Sequence, residues 1–264
     1  MEIGIFDSVP VWGIYMVMAL SLLLSFEVGY KISKCDTSSN NKEAFSSITP
    51  MVSGLLAMLA FVLAFTFSMA SSQHNLRKLS VLEEANAIST AYLRADLIGE
   101  RDQIKVKQLL KEYVYGRITA VKRGIDHDMF KNAMARTLEI QSELWAQIVS
   151  TAKKDPDLNS RLLLQSINSV IDIHQKRVTA GIYNRIPGSI WFVLWIISIL
   201  TMMTLGHQAR LSKSRRLTAV IPLIMAFTAL ATIVIDLDRP QEGMITVGQE
   251  AMIDLKKSLN LKIE

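Results

Sequence analysis

The fold is decided by residues 47–98, which read SITPMVSGLLAMLAFVLAFTFSMASSQHNLRKLSVLEEANAISTAYLRADLI. Residues 51–70 carry no charge, and an uncharged helix of this length crosses a hydrocarbon core of ~30 Å. From His74 onward the stretch is polar enough for water, and neither Pro nor Gly interrupts it before Gly99. The pattern predicts one helix that leaves the membrane and continues into an aqueous helical domain.

Two parallel stripes of side chains mark the membrane part of this helix. Small residues that let another helix backbone approach closely recur at every fourth position: Ala60, Ala64, Ser68 and Ser72. A bulkier stripe consists of Ala57, Phe61, Phe65 and Met69. The phenylalanines have two interpretations. Either they face lipid or fill gaps, or several copies of the helix surround an axis and the rings form an apolar constriction that gates ions by dewetting.

Three further uncharged runs are long enough to span a membrane, at residues 8–26, 186–206 and 217–235. Half of all residues are hydrophobic and the mean hydropathy is +0.27, as expected of a membrane protein. No Lys or Arg precedes the first run, so it lacks the basic start of a secretory signal peptide. All four runs are therefore predicted to be transmembrane helices.

The segment between spans two and three is predicted to be a helical bundle. It is punctuated by Gly99, Gly124 and the Asp155-Pro156 pair, which are typical breaks between helices. We therefore predict an all-α membrane protein with four transmembrane helices and an extramembrane helical bundle. The predicted parts are transmembrane helices at 8–35 and 47–72, the bundle at 73–185, transmembrane helices at 186–236 and a tail at 237–264.

A seam of mostly apolar residues follows the aqueous part of the long helix. Its members lie at spacings of three and four: Leu79, Leu82, Asn86, Ser89 and Leu93. The polar members of such a seam can fix the register among neighbouring helices or subunits.

Charged residues concentrate in the same part of the helix. Glu83 and Arg94 are about three turns apart and so share a face. Together with Glu84 and Asn86 they form either a solvated or inter-helix salt-bridge network, or a ring of charge at the vestibule of a pore.

The tail opens with a charged turn that contains Asp236, Asp238 and Arg239. The two aspartates either pair with the arginine or attract a cation. We expect an extended strand at residues 244–247 and an amphipathic helix at residues 249–259.

The two short loops between spans carry basic residues that predict the orientation. They are Lys31, Lys34 and Lys42 in one loop and Arg210, Lys213, Arg215 and Arg216 in the other. The positive-inside rule places both loops in the cytoplasm. In a bacterial inner membrane, the middle domain then lies on the periplasmic or external side.

Patterns typical of catalysis are missing from the sequence. There is no phosphate-binding glycine loop, no paired-histidine helix and no nucleophile elbow. The four histidines are widely separated, and the basic residues are dispersed among acidic ones. We predict a protein that is not an enzyme, uses no cofactor or metal, and binds no nucleic acid.

Residues 81–96, VLEEANAISTAYLRAD, resemble a family of bacterial membrane proteins described as bestrophin-like. The similarity extends to residues 54–69 and to residues 236–240, with Gly243 and the Gln249-Glu250 pair. Bestrophins themselves are homopentameric anion channels with four spans per subunit and an apolar neck on the second span. They also carry an acidic run after the fourth span that clamps calcium, where this chain has only Asp236 and Asp238.

This resemblance implies that Ala57, Phe61, Phe65 and Met69 line a pore neck. It further implies a homo-oligomer in the lipid bilayer, a pentamer by resemblance, that conducts inorganic anions such as chloride. The expected function is therefore a passive, anion-selective channel that is gated at this neck. The alternative is a non-conducting membrane scaffold or sensor whose helical bundle binds a partner.

Overall fold

The computed structural model describes residues 9–33, 41–122, 127–212, 217–239 and 243–260, and all regular structure in these ranges is helical. The predicted all-α class is confirmed. The α-helices are α1 Val11–Ile32, α2 Asn41–Arg94, α3 Glu100–Lys122, α4 His127–Lys154, α5 Leu158–Val178, α6 Gly188–Leu211, α7 Leu217–Asp238 and α8 Glu250–Ser258. A 3₁₀ turn at Ala95–Leu97 follows α2, and a π-helical turn at Thr179–Tyr183 follows α5.

The long helix α2 is continuous over 54 residues, as the uninterrupted pattern predicted. It begins at Asn41, earlier than expected, and includes Pro50. The chain divides into two compact units, and their boundary falls within this helix. We call residues 1–73 and 185–245 the membrane unit, and residues 74–184 and 246–264 the helical unit.

Four helices in the described part of the chain are long and apolar enough to cross a membrane. They are α1, α2, α6 and α7, and in α2 the uncharged part is residues 51–70. The predicted number of spans is therefore confirmed.

Two glycines bring α1 and α6 into backbone contact within the membrane unit. A Cβ atom added at Gly29 would collide with the carbonyl group of Met203, and one at Gly206 would collide with the carbonyl oxygen of Phe26. Such close approach increases the van der Waals contact that holds membrane helices together, since lipid supplies no hydrophobic force between them. The fully buried Phe26 packs at this contact.

The helical unit is a bundle of the second part of α2 with α3, α4 and α5. Its core contains the fully buried side chains of Ile88, Leu110, Leu144 and Leu163, one from each helix. The tail adds α8, whose Met252 is also fully buried in this core. The predicted extramembrane bundle is therefore present.

The strand expected at residues 244–247 is wrong, because these residues form no regular structure. A strand needs a partner for its backbone groups, and the described ranges contain no strand with which it could pair. The helix expected immediately afterwards is present as α8.

Polar side chains complete both ends of α5. Asp157 caps the first turn by accepting a hydrogen bond from the backbone N–H of Ser160 at 2.7 Å. At the other end, the buried Arg77 of α2 donates to the carbonyl oxygens of Ala180 and Asn184, each at 3.1 Å. These bonds satisfy carbonyl groups that a helix end leaves without an intrahelical partner.

The glycine contact predicts that Gly206→Ala destabilises the protein, although alanine is intrinsically the better helix former. The added methyl group must push α6 away from the backbone of α1, and overpacking of this kind costs about 1–3 kcal/mol. Thermal unfolding in detergent measures the effect. Gly188→Ala on the same helix is the control, since a Cβ there meets nothing within 4 Å. Equal unfolding temperatures for the two variants would contradict the proposed contact.

Candidate functional site

The membrane part of α2 presents both predicted stripes away from the other helices of the chain. Phe61 is 73% exposed and Phe65 is 59% exposed, whereas Met69 is half-buried. The remaining predicted members of both stripes are also exposed: Ala57, Ala60, Ala64, Ser68 and Ser72. The packed side of α2 carries Leu59 and Leu63 instead. The residues predicted for helix packing are therefore not buried against another helix of the described chain.

The same division between two faces continues in the helical unit. Leu79, Leu82 and Leu93 of the expected seam are exposed, and so is the polar Asn86. The buried positions form a different seam: Val81, Glu84, Ala85, Ile88, Ala91 and Ala95. The leucine seam thus does not form the core of the bundle, and its leucines lie on the surface of the chain.

Helical periodicity relates the exposed positions of the two units. Eighteen residues complete about five turns of an α-helix, so residues at this spacing share a face. Phe61, Leu79 and Leu97 have this spacing, and the two leucines are 52% and 51% exposed. We call the face of α2 with Phe61 and Leu79 the outer face of α2, and Leu97 lies in the 3₁₀ turn just beyond this helix. The outer face exposes large apolar side chains, and in the helical unit the polar Asn86 and Thr90 lie between them.

Glu84 is the centre of a buried polar cluster in the helical unit. Its carboxylate is fully buried and accepts hydrogen bonds from Tyr113 Oη at 2.6 Å and from Arg117 Nε at 3.0 Å. Arg177 Nη1 of α5 donates to the second carboxylate oxygen. His174 Nδ1 lies 3.6 Å from the carboxylate and 3.1 Å from the hydroxyl of Tyr113. One carboxylate thus joins α2, α3 and α5.

The electrostatics of this cluster keep Glu84 ionised. Burial alone would raise the pKa of Glu84, but the charge of Arg117, a hydrogen bond with His174 and the charge of Arg177 together hold it well below its ordinary value of 4.5. Burial, followed by repulsion from Arg117, lowers the pKa of Arg177. Two buried guanidinium groups therefore share one counter-ion.

The other predicted network residues lie apart from this cluster. Glu83 forms a surface ion pair with Lys176 at 2.7 Å. Arg94 Nη1 donates to the carbonyl oxygen of Leu162 at 3.0 Å and to Ser166 Oγ at 2.7 Å. Glu83, Asn86 and Arg94 line one pocket between α2 and α5, as their shared face suggested, whereas Glu84 does not line it.

The carboxylates after the fourth span accept hydrogen bonds from the backbone. Asp236 accepts from the N–H groups of Met244 and Ile245 at 2.8–3.1 Å, and Asp238 accepts from Ile186 N–H at 2.9 Å. Arg239 Nη2 donates to the carbonyl oxygen of Val9 at 2.6 Å. Across the described ranges, no group of three or more His, Cys, Asp and Glu side chains is arranged to hold a metal ion. Asp236, Asp238 and Arg239 therefore bind backbone groups near the end of α7.

Sequence reasoning missed most partners of Glu84, namely Tyr113, Arg117, His174 and Arg177. They lie 29 to 93 residues away along the chain, so no local spacing connects them to Glu84. One signal was available within α3. Arg117 follows Tyr113 by four residues and therefore lies on the side of α3 that carries its buried apolar residues. A charged residue on this side requires a buried partner.

The fold and these sites define a four-span helical membrane protein with an extramembrane bundle and an apolar outer face on its second span. A family model described as "Bestrophin-like domain" matches residues 19–252, and the chain belongs to this family. No curated protein matches the chain, and no solved structure matches it.

The Glu84 cluster predicts that Glu84→Gln destabilises the helical unit by about 3–5 kcal/mol, because two buried guanidinium groups lose their counter-ion. Circular dichroism during unfolding in detergent measures the loss of stability. The adjacent Glu83→Gln is the control and is expected to cost about 1 kcal/mol or less, since its ion pair is solvated. Similar losses in the two variants would contradict the central role of Glu84.

The low pKa of Glu84 predicts a specific loss of stability in acid. Since the folded-state pKa is depressed, the stabilisation is complete above pH 4.5 and is lost as the pH falls below that value. The slope attributable to this group is at most about 1.4 kcal/mol per pH unit. We expect the free energy of unfolding of the wild-type protein to fall more steeply below pH 4.5 than that of Glu84→Gln. Parallel pH profiles would refute the prediction.

Proposed function

We propose that this protein is a passive anion channel whose neck is formed by the outer faces of α2 from several copies of the chain. Membership of the Bestrophin-like family supports a relation to anion channels. The neck consists of Phe61 and Phe65, with Ala57 one turn earlier and Met69 one turn later.

The observation that carries this proposal is the exposure of large apolar side chains on the outer face of α2 in both units. In the membrane, lipid alone can cover Phe61 and Phe65, so their exposure has two explanations. Lipid cannot cover Leu79, Leu82 and Leu93 if they lie in water, and exposed apolar stripes of this kind mark interaction surfaces. A second copy that packs along α2 would cover these leucines, and the phenylalanines would then meet around the axis.

Small side chains on α2 support the same arrangement. Ala60, Ala64, Ser68 and Ser72 are exposed, and small residues allow neighbouring helices to pack closely in lipid. In this arrangement they form the contact between copies, while the bulkier stripe faces the axis. A constriction of phenylalanine rings is apolar enough to exclude water when closed, which stops ion flow without a moving plug.

The preference for anions and the orientation complete the proposal. The family relation supports a preference for anions, with chloride as the simplest permeant ion of this proposal. The basic loops support an orientation in which the helical unit is on the outer side of a bacterial inner membrane.

A second function is favoured by the position of the exposed leucines. Leu79, Leu82 and Leu93 lie in the helical unit, so a different protein could cover them as well as a second copy could. The protein would then be a non-conducting scaffold or sensor.

Ion flux from liposomes that contain the purified protein tests the channel. Vesicles loaded with chloride or with potassium are compared under an imposed gradient, and light scattering in detergent measures the number of copies. We expect an oligomer, selective chloride release, and a severalfold higher rate in Phe65→Ala, because a smaller side chain widens the neck and weakens dewetting.

Phe192→Ala is the matched control for this experiment. Phe192 is 67% exposed on α6, outside the proposed neck, so its truncation should leave the flux unchanged. An equal effect in both variants would show that Phe65 does not form the neck. A monomer, or no flux from any sample, would exclude the channel and favour the scaffold.

A further inference from the structure

A pocket of about 450 Å³ lies between α2 and α5 in the helical unit. Its polar lining residues include Glu83, Asn86, Thr90, Arg94, Gln165 and Ser166. Asn86, Thr90 and Gln165 are exposed, so the pocket opens to solvent. Phe61 and Phe65 of the proposed neck do not line it, although Asn86 and Thr90 lie on the same side of α2 as Ser68 and Ser72.

Arg94 differs from the two arginines of the Glu84 cluster. Arg117 and Arg177 share the carboxylate of Glu84, whereas no carboxylate of the described residues lies within 4.0 Å of Arg94. Its Nη1 atom donates to two neutral oxygens, those of Leu162 and Ser166. Nε and Nη2 form no hydrogen bond within the described ranges. This edge of a guanidinium group presents two parallel N–H donors, which match the two oxygens of a carboxylate or phosphate.

The neighbouring groups are compatible with a negative ligand. The side-chain amides of Asn86 and Gln165 form no hydrogen bond with any described residue, so both N–H₂ groups can donate to a ligand. The carboxylate of Glu83 is paired with Lys176 at 2.7 Å, which offsets its repulsion of an anion.

We propose that the Arg94 pocket binds a small oxyanion, a carboxylate or a phosphate. The guanidinium group holds two of its oxygens through Nε and Nη2, and the carboxamides of Asn86 and Gln165 donate to the rest of the ligand. This site is separate from the proposed neck, and binding there does not require that the protein conducts.

Titration of the full-length protein in detergent with acetate, succinate or inorganic phosphate tests this site. Calorimetry measures the affinity, with chloride added to keep the ionic strength constant. We expect saturable binding of one of these oxyanions, and the preferred one identifies the ligand class. Arg94→Gln should weaken binding about tenfold or more, because it removes the charged donor pair.

Two further variants keep the test decisive if Arg94→Gln folds poorly. Gln165→Glu places a carboxylate at an exposed position of the pocket and should also abolish binding. Arg101→Gln removes an exposed arginine of α3 outside the pocket and should bind like the wild type. No saturable binding of any oxyanion by the wild type would overturn the proposal. Equal weakening in Arg101→Gln, or binding of chloride as tight as that of the oxyanions, would also overturn it.

Discussion

The fixed periodicity of α2 is the constraint on which the rest of the structure depends. In an uninterrupted α-helix the rotation from one residue to the next is constant, so the position of a residue in the sequence determines the side of the helix on which it lies. Leu59, Leu63 and Ala70 are buried in the membrane unit, and Val81, Glu84 and Ile88 are buried in the helical unit. These residues lie on one side of the helix, because the spacings between successive members are three, four or sums of three and four. The opposite side of the helix exposes large apolar side chains such as Phe61, Phe65 and Leu79, with the polar Asn86 and Thr90 between those of the helical unit.

This constraint explains how much could be predicted from the sequence. Uncharged runs locate the four spans because lipid tolerates little else, and the absence of glycine and proline between Gly54 and Gly99 predicts the continuity of α2. Hydrophobicity alone does not show which face of α2 is packed. The leucine side of its second half is more apolar than the packed side, which carries Arg77 and Glu84. A buried ion cluster on the packed side therefore reverses the usual inference that the more apolar side forms the core.

The candidate sites also differ in whether they can be recognised in the sequence. The stripe with Phe61 and Phe65 is visible in the sequence because its members lie on one helix. The Glu84 cluster is not visible, because its members come from three helices and only folding brings them together. The close contact of α1 and α6 at Gly29 and Gly206 was missed for a related reason. One glycine on each of two helices forms no periodic pattern, although the backbones touch there.

The position of α8 has a consequence for the biosynthesis of the protein. Met252, Leu255 and Leu259 complete a core whose other buried members lie between Val81 and Val170. A ribosome makes α6 and α7 before it reaches α8. The apolar core of the bundle can therefore be completed only after the last two spans have been synthesised.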